Sequence, residues 1–164
     1  MNIGILTISD RSSRGERADA SGPVIREMVV NQLGGQVTQE AIVPDEVAAI
    51  AETLRAWAGQ VDIILTTGGT GFAPRDVTPE ATLSVLEKRA PGLEEAMRAE
   101  SLKKTPHAML SRAVCGIRGR CLIVNLPGSP KAVRENLAVI LPALPHAVRL
   151  LREEAEESEH AFAG

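Results

Sequence analysis

The chain has 164 residues, 44% apolar and 24% charged, with a formal net charge of −3. Such a chain folds as one domain with a core of its own and is neither disordered nor membrane-spanning, since its apolar runs, such as Ile3 to Ile8, are only strand-sized. The acidic balance argues against a nucleic-acid partner that needs a broad basic face, and with aromatics at 2% base stacking is nearly unavailable.

Taken in order, "NIGILTIS" (Asn2 to Ser9) reads as a first, buried strand. Ser21 and Gly22 precede Pro23, a residue suited to a first helical turn, and Ile25, Met28, Val29 and Leu33 follow at helical spacing until Gly34-Gly35 stops them. "QEAIVP" is expected as a short strand. Asp45 stands where a helix N-cap would, ahead of the apolar face of Ile50, Leu54 and Trp57, which Gly59 closes. A strand over Asp62 to Leu65 runs into the loop Thr66-Thr67-Gly68-Gly69-Thr70-Gly71. Thr78-Pro79 then opens a helix through Leu83 and Leu86, and Pro91 starts another. Beyond a tight turn at Arg118-Gly119, a strand ends at Leu126. Ser129-Pro130 begins a last helix that Pro142 and Pro145 must kink or divide. Its apolar face, Val133, Leu137, Ile140 and Leu144, suits either the core or an interface. Strands alternating with helices imply one α/β domain over residues 1–152, with a largely parallel sheet covered on both faces. Residues 153–164 are expected to form an acidic, flexible tail. Cys115 and Cys121 lack metal-ligand spacing and read as reduced, packed thiols of a cytoplasmic protein; no secretory leader is expected.

Ligands of open α/β sheets lie beyond the carboxyl ends of the strands. Four segments qualify here: Ser9-Asp10, Pro44-Asp45, the Thr66 to Gly71 loop with Asp76, and Asn125 to Pro130. A loop of glycine and threonine offers amides and hydroxyls to phosphate oxygens. The lysine and spacing of a Walker A loop are missing, and so is GxGxxG. Each candidate also has a plain structural reading. Capping alone can account for Asp45, a tight turn for GGTG, and a solvated surface pair for Ser111-Arg112. His107 and His146 have no evident partner. Asp76 differs, because Thr78-Pro79 already supplies the helix start, and beside Arg75 it suits metal or proton work.

The stretches "ISDRSSRGERADASGP", "TTGGTGFAPRDVTPEAT", "HAMLSRAVCGIRG" and "LIVNLPGSPKAV" resemble, in this order, the MogA/MoaB family of molybdopterin adenylyltransferases, which includes domains of gephyrin. The likeness runs from about Ile3 to Leu151. It implies a three-layer α/β/α sandwich around a mostly parallel sheet, assembled as a homotrimer. It also implies transfer of AMP from ATP to molybdopterin with Mg²⁺, and it admits other molybdenum-cofactor enzymes as partners. Carried over by position, Asp45 and Asp76 are the catalytic and metal-binding pair. Thr67, Gly68, Gly69, Thr70 and Gly71 take the ATP phosphates, and Ser9, Asp10, Ser111, Pro127, Gly128 and Ser129 line the molybdopterin side. Ser129 stands where the family often has asparagine.

Three rival functions fit less well. Molybdate-insertion enzymes embed this fold in longer chains. A catalytically silent, pterin-binding trimer is the alternative within the family, but both aspartates are present. A generic nucleotide switch would want a phosphate-loop lysine.

Overall fold

The computed structural model describes residues 1–153, so residues 154–164 of the expected acidic tail lie outside the described residues. Strand β1 (Asn2–Ile8) is buried from Ile3 onward, as a strand covered on both faces must be. It pairs in parallel with β2 (Gln36–Val43) on one side and β3 (Ile63–Thr67) on the other. β3 in turn pairs in parallel with β6 (Cys121–Leu126). The sheet continues antiparallel through β5 (Cys115–Arg118) to β4 (Lys88–Arg89), giving the order β2-β1-β3-β6-β5-β4.

Helices cover both faces, so the expected three-layer sandwich holds. On one face Ile3, Ile5, Ile63 and Val124 pack against α2 (Ser21–Leu33), α5 (Pro91–Leu102), α6 (Pro130–Ile140) and α7 (Leu144–Leu151). On the other, Leu6, Ile8, Ile64 and Ile123 meet α3 (Val47–Ala58) and α4 (Thr78–Val85). Alternate residues of each interior strand thereby feed two separate apolar layers. Val133, Leu137, Ile140 and Leu144 all lie in the first layer, which assigns that helical face to the core of the chain itself. The prolines divide the last helix as expected: a 3₁₀ turn over Leu141–Ala143 separates α6 from α7. No helix among the described residues is long and apolar enough to cross a membrane.

Several boundaries differ from the sequence reading. Helix α2 starts at Ser21 because Asp19 Oδ1, outside the helix, accepts the amide protons of Ser21 and Gly22, both at 3.0 Å. β2 begins at Gln36, three residues before "QEAIVP", and only its alternate side chains are part-buried, as suits an edge strand. β3 extends through Thr66 and Thr67, whose hydroxyls find partners inside the fold. β4 and β5 are additional strands. β5 joins β6 through a hairpin in which Arg118 pairs with Cys121, so the turn is at Gly119-Arg120, with Gly119 left-handed at φ 57°.

One polar residue sits in the middle of this frame. Asn125 of β6 is fully buried and fully engaged. Its Oδ1 accepts the Val114 amide proton at 3.2 Å, and its Nδ2 donates to the hydroxyls of Thr66 and Thr82 at 3.0 Å each. Satisfied in this way, a buried amide costs little stability. Cys115 and Cys121 are buried and unpaired, and burial pushes both thiols up to about 12, far from a reactive thiolate.

Candidate functional site

Because β1, β2, β3 and β6 run in parallel, their carboxyl ends meet along one edge of the sheet, which brings the four expected segments together. At the end of β1, Ser9 caps the short helix α1 (Asp10–Ser13), its Oγ accepting the Ser12 amide proton at 3.1 Å. Asp10 and Asp45 then form a reciprocal pair. The Asp10 amide donates to Asp45 Oδ2 at 2.8 Å, and the Asp45 amide donates to Asp10 Oδ1 at 3.0 Å. Arg75 closes a fork on Asp10, with Nε to Oδ2 at 2.6 Å and Nη2 to Oδ1 at 3.0 Å. Asp45 does not cap α3, whose N-cap is Glu46 with no side-chain bond, so the plain capping reading of Asp45 fails.

The two carboxyls are driven apart electrostatically. The Arg75 hydrogen bond holds Asp10 below the usual carboxylate range. Burial raises Asp45, and the neighbouring charges of Asp10 and Asp76 add to that rise. Asp10 is fully engaged by Arg75 and the Asp45 amide. Asp45 Oδ1, in contrast, receives no donor among the described residues.

The glycine loop is shaped from within the chain. Gly68 has φ 98°, and a Cβ there would stand 2.3 Å from the Ile8 carbonyl oxygen; Gly69 has φ 67°, and its Cβ would lie 2.4 Å from Thr78 Oγ1 and 3.1 Å from Asp45 Oδ1. These glycines are therefore required by the approach of β1, α4 and Asp45, before any anion is considered. Thr67 Oγ1 donates to the Pro127 carbonyl at 2.6 Å and ties the loop to the end of β6. Asp76 is held by the same loop. Its Oδ2 accepts the amide protons of Gly71 and Ala73, both at 3.1 Å, and no donor among the described residues reaches Oδ1.

Two cavities flank this loop. One, of about 280 Å³, is walled by Met97, Leu110 and Ala113 and edged by Thr70, Gly71 and Ser111. The other, of about 260 Å³, is lined by Ser9, Ser12, Ser21 and Ser129 with Thr67 and Gly68. The residues expected together on the molybdopterin side are thus split. Ser111 and Pro127 face the first cavity, and Ser9, Gly128 and Ser129 face the second. Asp10, Asp45 and Asp76 lie on neither wall; Asp45 and Asp76 stand beside Gly69 and Gly71 of the loop. Ser129 also caps α6, its Oγ accepting the Ala132 amide proton at 3.2 Å.

No three His, Cys, Asp or Glu residues among the described ones converge to hold a metal by themselves. The residues present nevertheless fit Mg²⁺, which takes one or two carboxylates and completes its shell with water and substrate phosphates. Asp45 and Asp76 each keep one oxygen on main-chain amides and one oxygen without a donor.

Sequence reasoning missed three partners here. Arg112 is not a solvated surface residue: it donates to the carbonyls of Gly71 and Asp76 and pairs with Glu80. Arg98 donates to the carbonyls of Ser111 and Ala113, both at 3.2 Å. His107 lines the larger cavity. These bonds span more than ten residues, and no local spacing announces them.

The sequence matches the family model described as "Probable molybdopterin binding domain" over residues 4–146. Gephyrin of Dictyostelium discoideum is 48% identical, over 95% of this chain but 23% of its own length, so the chain spans about a quarter of that relative. A molybdopterin adenylyltransferase of Helicobacter pylori is 46% identical over 92% of this chain and 88% of its own. Among solved structures, the molybdopterin biosynthesis enzyme MoaB of Thermus thermophilus superposes with a TM-score of 0.86 at 53% identity, covering 92% of this chain and 95% of its own. With most of its length inside the family model and its fold shared with that enzyme, the chain belongs to the molybdopterin-binding domain family of molybdenum-cofactor biosynthesis.

Proposed function

We propose that this chain is a molybdopterin adenylyltransferase. The observation that carries the reading is the pair of cavities divided by one glycine loop, with Asp45 and Asp76 beside it, in a chain 46% identical to a relative of that name. The smaller cavity, rich in hydroxyls, suits the ribose and phosphates of ATP. The larger, with apolar walls and Ser111 at its edge, suits the pterin. Amides and hydroxyls of Thr67 to Gly71 orient the phosphates between them.

In the reaction an oxygen of the terminal molybdopterin phosphate forms a bond to the α-phosphorus of ATP. The bond from that phosphorus to the bridging oxygen breaks, and pyrophosphate leaves in line. Transfers of this kind depend on positioning and charge neutralisation rather than covalent catalysis. Asp45 and Asp76 would hold Mg²⁺ here, and the ion would supply that neutralisation. Asp10, satisfied by Arg75, acts by fixing Asp45 and does not touch substrate. The same reading includes a cytoplasmic homotrimer, and a light-scattering mass of a single chain would count against the trimer.

Incubation with molybdopterin, ATP and Mg²⁺ tests the proposal. Adenylylated pterin and pyrophosphate in equal amounts are expected. Pterin binding with no transfer would replace this reading with the silent binding protein.

A further inference from the structure

Arg112 directly follows Ser111, and its bonds reach the end of the glycine loop and the segment beyond it. Its amide donates to the Thr70 carbonyl at 2.8 Å, Nε to the Gly71 carbonyl at 2.7 Å, and Nη2 to the Asp76 carbonyl at 2.7 Å. Nη1 pairs with Glu80 at the start of α4. Gly71 and Asp76 are the two ends of the segment whose amides, from Gly71 and Ala73, hold the Asp76 carboxylate. One planar guanidinium therefore closes that segment into a ring and fastens the ring to α4 and to the chain that follows Ser111. A lysine ammonium presents a point charge and cannot direct three donors along one fixed fork.

Ser111, Thr70 and Gly71 edge the larger cavity. The residue before Arg112 thus meets the ligand of that cavity, and its own side chain sets the place of Asp76. We propose that Arg112 is a positioning residue that couples the Ser111 cavity to the Asp76 carboxylate, so that Asp76 stands correctly only while the Gly71–Asp76 segment is clamped. The inference rests on the adenylyl-transfer reading for its effect on rate, and on the loop geometry alone for its effect on order.

Displacement of a reacting group by about 1 Å costs on the order of 10²-fold in rate. Arg112→Ala and Arg112→Lys, made in the full chain, are therefore expected to lose roughly 10²-fold in kcat, while KM for ATP changes by less than about threefold. Amide hydrogen exchange at Gly71 and Ala73 is expected to accelerate by about tenfold or more while β1 amides keep their protection. Free guanidinium should restore activity to Arg112→Ala and none to Asp76→Asn. Full kcat in the lysine variant would overturn the proposal, as would unchanged exchange at Gly71 and Ala73, or an alanine variant that guanidinium does not rescue. If the alanine variant melts early, the lysine variant decides on the same two measurements. If the wild type itself transfers no adenylate, the functional reading fails, and the exchange experiment still decides whether Arg112 clamps the loop.

Discussion

Asp45 and Asp76 face the same loop, but they are held in opposite ways. Asp45 is fixed by bonds to Asp10, 35 residues away in sequence, which Arg75 reinforces from the loop itself. Asp76 is fixed by amides three and five residues before it, and that local unit is tied to the rest of the fold by the clamp of Arg112 and by the fork of Arg75 on Asp10. One carboxylate is thus placed by the sheet and the other by a loop. The difference shows how a site of two acids divides its demands. The acid beyond the strand end is partly desolvated, its affinity for protons raised, whereas the loop acid is held by amides of its own segment, which Arg112 and Arg75 brace.

The comparison makes its strongest claim where both acids are neutralised. Asp45→Asn and Asp76→Asn should each lower the adenylylation rate by roughly 10²–10³, as when a preorganised electrostatic group is lost, with melting close to wild type. Full turnover by either variant at saturating Mg²⁺ and ATP would remove that residue from the metal–phosphate centre.

Arg75→Ala should separate the two arrangements. It frees Asp10, whose charge then bears more strongly on Asp45, and leaves the Asp76 amides untouched. Loss of a charge-assisted bond of about 1.4 kcal/mol corresponds to roughly tenfold in rate. The acid limb of the pH–rate profile should also move to higher pH, because Arg75 lowers the Asp45 pKa in the intact site. An unmoved limb would show that Asp45 ionisation does not control the rate.

Ser111→Ala should weaken molybdopterin binding by about two- to tenfold, the worth of one hydrogen bond, and ATP binding less. Equal losses for both ligands would cancel the assignment of the two cavities.

The smallest expected effect is on stability. The folded-state pKa of Asp45 lies above its ordinary value of 3.8, so the folded chain binds that proton more tightly than the unfolded one. Its contribution is then fully present below 3.8 and is lost as pH rises through the raised value. Asp45→Asn lacks this loss. Denaturation midpoints should therefore show the variant gaining on wild type between about pH 3 and pH 7, and a gap of constant size would contradict the raised pKa.

The sequence was informative where chemistry is local. The burial of Ile3 to Ile8, the divided helix at Pro142 and Pro145, and the strand-end grouping of Asp45, the glycine loop and Ser129 all follow from periodicity and one topological rule. β4 is only two residues long, and β5 only four, too short for alternation to declare itself. The glycine loop invited an explanation by phosphate alone. Its closest neighbours are instead Ile8, Thr78 and Asp45, brought there by three separate elements. The clamp of Arg112 has the same cause: the acceptors of its side chain lie 32 to 41 residues earlier in the chain.

Asn125 carries a consequence for how this edge is kept in line. Its amide meets Thr66 on the adjacent strand, in a register that pairs Thr66 with Asn125 and Thr67 with Leu126. Interior parallel strands made of Ile, Leu and Val are nearly interchangeable by position, so their apolar contacts alone discriminate poorly between one alignment and the next. A slip of one residue would turn the Asn125 side chain toward the opposite layer, where its donors and acceptor would be buried without partners. That penalty acts on the wrong alignments and spares the right one. The amide therefore serves as an alignment pin, and through it Gly68 and Pro127, one step beyond the paired residues, emerge level with each other wherever the chain folds at all.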